Sequence, residues 1–197
     1  MPPHTHTTAK TAAARGLRAL ATTLVLVATI CTAVGADSEP LTISDVAGFK
    51  QWAKSVVDGQ FGNVVLGENL EFGQDDVAEL QELLPLGLNK EDASCTAWSG
   101  TLDGNGHWID GLYVAIEGMQ CDVGLFCGLK DATVKNLRIG KNSRFIGQKV
   151  GAICGIASGT VTFSNVNNQA TINCTYRAGG IVGQIDVDSV VTFSQCT

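Results

Sequence analysis

Apolar and polar positions alternate in short runs through the second half of the chain, and the runs come in sets of three. GLFCGL (Gly124 to Leu129), GAICGI (Gly151 to Ile156) and GIVGQI (Gly180 to Ile185) share a glycine, two apolar positions, a small residue, a variable one and a final Leu or Ile. Each is followed by a second β-prone run: ATVKNLRI, GTVTFSNV and SVVTFSQC. Between them lie third runs such as SRFIGQKV and QATINCT. Three short runs of Val, Ile, Thr and Phe per period, punctuated by Gly, Asn and Ser, predict one coil of a three-sided solenoid. A single coil cannot bury its inner face, whereas stacked coils share a continuous core and pair backbones about 4.8 Å apart. The fold class expected is therefore all-β, a parallel β-helix over 99–197 with its last coil incomplete. A β-sandwich also has many short strands, but it does not predict blocks at a near-constant period.

The front of the chain follows another pattern. Val46, Phe49, Ala53, Val56 and Val57 fall at helical spacing after Ser44, so an amphipathic helix capped by Ser44 is expected over Ser44 to Val57. An apolar strand follows from Asn63 to Phe72, and GQDDVAELQELL predicts a short second helix. Residues 37–98 thus form an N-terminal cap, with the first helix laid across the open edge of the first coil.

Before that cap comes a basic leader with Lys10, Arg15 and Arg18, then an uncharged run from Ala19 to Ala36 ending in small residues. Residues 1–36 are expected to be a secretory signal peptide, the alternative being a retained anchor. The predicted localisation is secreted or at the cell surface, with no membrane span after cleavage.

All 19 acidic residues but only 10 of the 13 basic ones lie beyond the leader, leaving a charge of −9 there. The basic residues are concentrated after Asp122, where Lys135, Arg138, Lys141, Arg144 and Lys149 fall within one coil. On a three-sided coil they point to different sides, and export argues further against a nucleic-acid partner. Six cysteines follow the leader: Cys95, Cys121, Cys127, Cys154, Cys174 and Cys196. An oxidising compartment permits disulfides, and six cysteines allow fifteen pairings. The block alignment puts Cys127 and Cys154 in one slot of successive coils, as a disulfide or as stacked free thiols. Asn173-Cys174-Thr175 is an N-glycosylation sequon.

The stretch SGTLDGNGHWIDGLYV is the densest in chemistry-bearing residues. Leu102, Ile109, Leu112 and Val114 read as strand positions of the first coil. Asp103, Gly104, Asn105, Gly106 and Gly111 read as turn residues, with Asp103 accepting from the turn's amides. Gly124, Gly151 and Gly180 are the matching glycines of the repeats. No Lys-Ser/Thr follows GNGHWIDG, so it is not a phosphate cradle.

This order of elements resembles the GLUG-motif family of bacterial-type surface proteins. The resemblance is carried by Ile43, Ser44, Phe49, Trp52, Ala53, Val64, Leu66, Leu70, Pro85 to Gly87, Gly100 to His107, Gly111 to Val114, Gly124 to Phe126 and Ala132 to Ile139. It departs where Cys127 and Cys154 replace a usual glycine and where 73–83 lengthen a connection. It implies export, a right-handed parallel β-helix and a place at the cell surface or in large extracellular proteins, with no defined enzyme activity.

The function expected is an exported, non-enzymatic module for display, adhesion or binding of a glycan or cell-surface protein. Its exposed last coil would stack on further repeats or a partner. The alternative is a carbohydrate-active β-helix enzyme, a polysaccharide lyase or glycoside hydrolase. A hydrolase needs two carboxyl groups on one face, one of them kept protonated. The close pair in the coil region is Asp186 and Asp188, two ligands where calcium needs six or more oxygens. His107 is the sole histidine after the leader; it has Asp103 nearby in sequence, but a structural place at the corner suits it better. Trp98, Trp108 and Tyr113 offer flat faces for sugar stacking or for core packing. No catalytic residue, metal or cofactor is assigned.

Overall fold

The computed structural model describes residues 39–116 and 120–197; the predicted leader lies outside them. In chain order the elements are β1 (Leu41–Ile43), α1 (Val46–Val57), β2 (Val64–Leu66), β3 (Leu70–Glu71), α2 (Gln74–Leu83), β4 (Thr101–Asp103), β5 (Trp108–Asp110), β6 (Tyr113–Ala115), β7 (Asp122–Val123), β8 (Phe126–Lys130), β9 (Thr133–Ile139), β10 (Arg144–Gly151), β11 (Cys154–Ser158), β12 (Thr160–Asn168), β13 (Thr171–Gly179), β14 (Val182–Ile185) and β15 (Val190–Ser194).

These strands form three parallel sheets, and the chain visits them in rotation. The first sheet stacks β1, β2, β4, β9, β12 and β15, with β3 and β5 alongside; the second joins β6 and β7 to β10 and β13; the third stacks β8, β11 and β14. Each passage through all three is one coil of the predicted β-helix, and about three coils are present. Register keeps the core continuous. Leu102, Val134, Phe163 and Phe193 follow one another up the first sheet. Val114, Phe145 and Ile172 do so on the second, and Phe126, Cys154 and Val182 on the third. From Leu102 to Phe163 these positions are at most 1% exposed. Phe193 stacks on Phe163 at 5.1 Å and leaves its other face open.

Corners repeat as faithfully as strands. Asn136, Asn165 and Gln195 follow one another up the stack with φ of 53°, 54° and 55°, a left-handed backbone that asparagine tolerates better than most residues. Their side chains bind coil to coil: Asn165 donates to Asn136 Oδ1 at 3.1 Å, and Asn136 donates to Asp103 Oδ1 at 3.1 Å.

The front of the chain closes one end of this stack. α1 buries Phe49, Trp52, Ala53 and Val56, and Trp52 meets Trp98 and Phe126 edge-on at 6.4 and 5.9 Å. The helix cap is Asp45, whose Oδ1 accepts from Gly48 N at 2.7 Å, one residue beyond the expected Ser44. A carboxylate one residue closer to the helix reaches the orphan amide and also faces the positive end of its dipole. The strand expected from Asn63 to Phe72 is two short ones, because the chain turns at Gly67, whose amide bonds Ile43 O. α2 forms as expected and is tied to α1 by Lys50 with Asp76 and Glu79 and by Lys54 with Glu79.

The register corrects the shared slot of Cys127 and Cys154, and with it the possible disulfide between them. Cys154 lies opposite Phe126, so the block alignment was one residue out. In a strand such a slip sends the side chain to the other face. Cys127 instead bonds Cys95, which arrives on the 87–96 excursion between Leu86, paired with Phe126, and Trp98, paired with Leu129. Cys154 is a fully buried free thiol, and burial pushes its pKa well above the usual thiol value. In the native protein, iodoacetamide mapped by peptide mass spectrometry is expected to label the half-buried Cys196 and spare Cys154 until denaturant is added. Equal labelling of both would contradict this packing.

Candidate functional site

The stretch from Asp103 to Tyr113 makes a turn within the first sheet, between β4 and β5, and then the corner to β6 of the second sheet, and an aspartate holds each. Asp103 Oδ1 accepts from Asn105 N at 2.8 Å and from Asn136 Nδ2 at 3.1 Å, while its Oδ2 faces Lys135 Nζ at 3.2 Å. Burial disfavours the Asp103 carboxylate, yet the Asn105 amide, Asn136 and Lys135 outweigh it and hold its pKa below the ordinary value. Asp110 does the same work a few residues on. Its Oδ1 accepts from Gly111 N and Asn142 N, both at 2.9 Å, and its Oδ2 from Asn142 Nδ2 at 2.7 Å. Buried Ser143 completes the set, accepting from Leu112 N at 3.2 Å.

Gly111 shows why this corner tolerates no side chain: its φ is +80° and a Cβ would strike the Phe72 carbonyl oxygen. Asn105 and Gly106 also have positive φ, as a tight turn requires. Gly104 packs against the Asn136 carbonyl and Leu137 of the next coil. The three repeat glycines are unequal. A Cβ on Gly124 or Gly151 meets neighbouring backbone, whereas Gly180 faces open space.

A depressed carboxylate pKa has a definite sign. The stability that Asp103 supplies is fully present above the unfolded aspartate pKa of about 3.9 and is lost as pH falls through the lower folded value. Asp103→Ala is expected to cost about 1–2 kcal/mol at pH 7, from hydrogen bonds lost at the corner. In urea unfolding the gap from wild type should narrow below about pH 4. A gap that widens there would contradict the assignment.

The remaining candidates are dispersed. His107 Nδ1 lies 3.1 Å from Asn69 Oδ1, so its partner is an amide of the preceding coil and not Asp103. Asp186 accepts from Val187 N, and Asp188 occupies a left-handed corner at φ 60°. Among the described residues no group of three or more His, Cys, Asp or Glu is placed to hold a metal ion. The carboxyl groups of Asp76, Glu79, Asp92 and Asp103 are held below the ordinary range by the lysines, amides and hydroxyl around them. A general acid requires the opposite.

Trp98 is fully buried in the core, while Trp108 is half-buried and Tyr113 is 36% exposed. Of the basic cluster, Lys135 is paired with Asp103, Lys149 with Asp122 at 3.2 Å, and Arg144 donates to Asn173 at 2.6 Å once that amide is turned to satisfy its neighbours. Asn173 is itself exposed on β13. Arg138 and Lys141 lie on the solvent side without a carboxylate within 4 Å among the described residues. Sequence reasoning missed Asp110, Asn142 and Ser143 as a unit. It also missed the ladder of Asn136 and Asn165, which stand fifth in ATVKNLRI and seventh in GTVTFSNV and come level only through the strand register.

The fold defines the class of protein, a β-solenoid whose corners are fixed by side-chain ladders. Over 99 residues, 50% of this chain, the sequence is 38% identical to halomucin of Haloquadratum walsbyi (strain DSM 16790 / HBSQ001), and the match spans 1% of that protein's length. No family model matches the chain, and no solved structure matches it. Among the described residues no helix is long and apolar enough to cross a membrane.

Proposed function

We propose that this chain is an exported, non-enzymatic β-helix module that presents its coil faces at the cell surface to glycans or other proteins. The observation that carries the reading is the similarity of half the chain to part of halomucin, a surface protein, on a solenoid fold. The basic leader and small-residue exit of residues 1–36 support export, and the GLUG-type motifs point the same way as a resemblance of sequence alone. The two aspartates support the non-enzymatic part, because Asp103 and Asp110 spend their oxygens on backbone amides, on asparagines and, for Asp103, on Lys135. In the last coil, Val190 and Phe193 are 62% and 46% exposed, a surface suited to stacking against a further coil or a partner. Exposed Asn173 is a site for glycan attachment where the export route supplies it.

The test is labelling of intact cells that make the full chain, using a membrane-impermeant biotin ester. The chain should be labelled before lysis or recovered from the medium. Labelling only after lysis would overturn the reading.

A further inference from the structure

The corner built by Asp110 carries more than a turn. Ile109 points into the core, so its neighbour Trp108 points out. Register sets Trp108 beside Arg138 of the next coil. A hollow of about 250 Å³ opens there, lined by Trp108, Asp110, Arg138, Lys141 and Gln169 across three successive coils. A second hollow of about 530 Å³ lies on the other side of the corner, lined by Gln74, Val77, Tyr113 and Asn142. They adjoin where Asn142 donates to Asp110 at 2.7 Å.

The free charged groups of the first hollow are all cationic. Asp110 is committed to the corner. The side chains of Arg138 and Lys141 are donors only, and neither is engaged by a carboxylate among the described residues. A partner for them supplies acceptors and negative charge, and the guanidinium fork matches a carboxylate or sulfate. Trp108 adds a flat apolar face beside them, and Tyr113 and the amides of Gln74, Asn142 and Gln169 continue it. Flat rings with amides and unpaired cations suit a hydroxyl-rich, negatively charged ring. The net charge of −6 means that the attraction is local to this corner and not a property of the whole surface.

We propose that the Trp108–Tyr113 corner binds an anionic saccharide, one bearing uronate or sulfate groups. This rests on the display reading and names the ligand class for it. The experiment is affinity electrophoresis of the intact protein at about 0.15 M salt, where exposed-charge attraction beyond about 8 Å is screened, through gels containing heparin, polygalacturonate or neutral dextran.

Heparin or polygalacturonate should retard the protein, and dextran should not. Trp108→Ala and the double variant Arg138→Gln/Lys141→Gln should each weaken retardation about tenfold, and Lys130→Gln should not. Arg138 and Lys141 are exposed, so the double variant should keep the wild-type melting curve and remain informative if Trp108→Ala fails to fold. No retardation by either charged polymer, equal retardation by dextran, or an equal loss in Lys130→Gln would each overturn the proposal. Competition by single-stranded DNA at equal strength through the same residues would also overturn it, in favour of a nucleic-acid ligand. Surface labelling without binding removes this inference alone, whereas binding by a chain found only inside cells removes the display reading and leaves the site.

Discussion

Phe126→Ala is expected to lower the unfolding free energy by about 3–5 kcal/mol, the cost of deleting a fully buried aromatic ring and leaving its cavity. Phe126 is 0% exposed, stacks on Trp98 at 5.0 Å and meets Trp52 of α1 edge-on. It therefore joins the capping helix to the third sheet, and its loss acts on both sides of that junction. Urea unfolding followed by circular dichroism gives the number, and hydrogen exchange should show the amides of α1 losing protection first. Tyr176→Ala, at a side chain 66% exposed, is the control and should change stability by no more than about 0.5 kcal/mol. A Phe126→Ala protein within that same margin would mean that α1 does not close the core as described.

Reduction of the Cys95–Cys127 disulfide carries the second large effect. The bond closes a loop of sequence separation 32, for which the chain-entropy account gives about 3–4 kcal/mol. It also pins the 87–96 excursion, which otherwise meets the third sheet through the bridges of Leu86 and Trp98 on either side. Dithiothreitol should lower the urea midpoint of wild type and leave that of Cys95→Ala/Cys127→Ala unchanged. Cys154→Ala should keep its full sensitivity to dithiothreitol. Recovery of a Cys127–Cys154 peptide under non-reducing conditions would contradict the register of β8 and β11.

These two results separate what the sequence made legible from what it hid. The period of three runs was visible because inward Val, Ile and Phe must recur once per coil to fill a shared core. Val134, Phe163 and Phe193 do so, the two phenylalanines both within VTFS. The turn at Asp103 was visible because its chemistry is local: the carboxylate binds the amide two residues on. Cysteine pairing was hidden because it depends on register to a single residue, and glycines mark where a corner begins without fixing how many residues it takes. Cys95 was hidden further, since the excursion bringing it to Cys127 follows no period. The same limit applied to the candidate site. Trp108 and Arg138 were each noticed, but only strand pairing sets them side by side, and only the geometry of Asp110 shows that Arg138 and Lys141 are left without an acidic partner.

On the function proposed above, the acidic turns of this solenoid hold its backbone and perform no chemistry, leaving the outer faces free to bind. The direct measurement is product release from a panel of neutral, uronate-containing and sulfated polysaccharides incubated with the intact protein, read as reducing ends and as absorbance of unsaturated uronates. No release above the buffer blank is expected on any polymer. Turnover abolished by Asp103→Asn or Asp110→Asn without a change in the melting curve would contradict it.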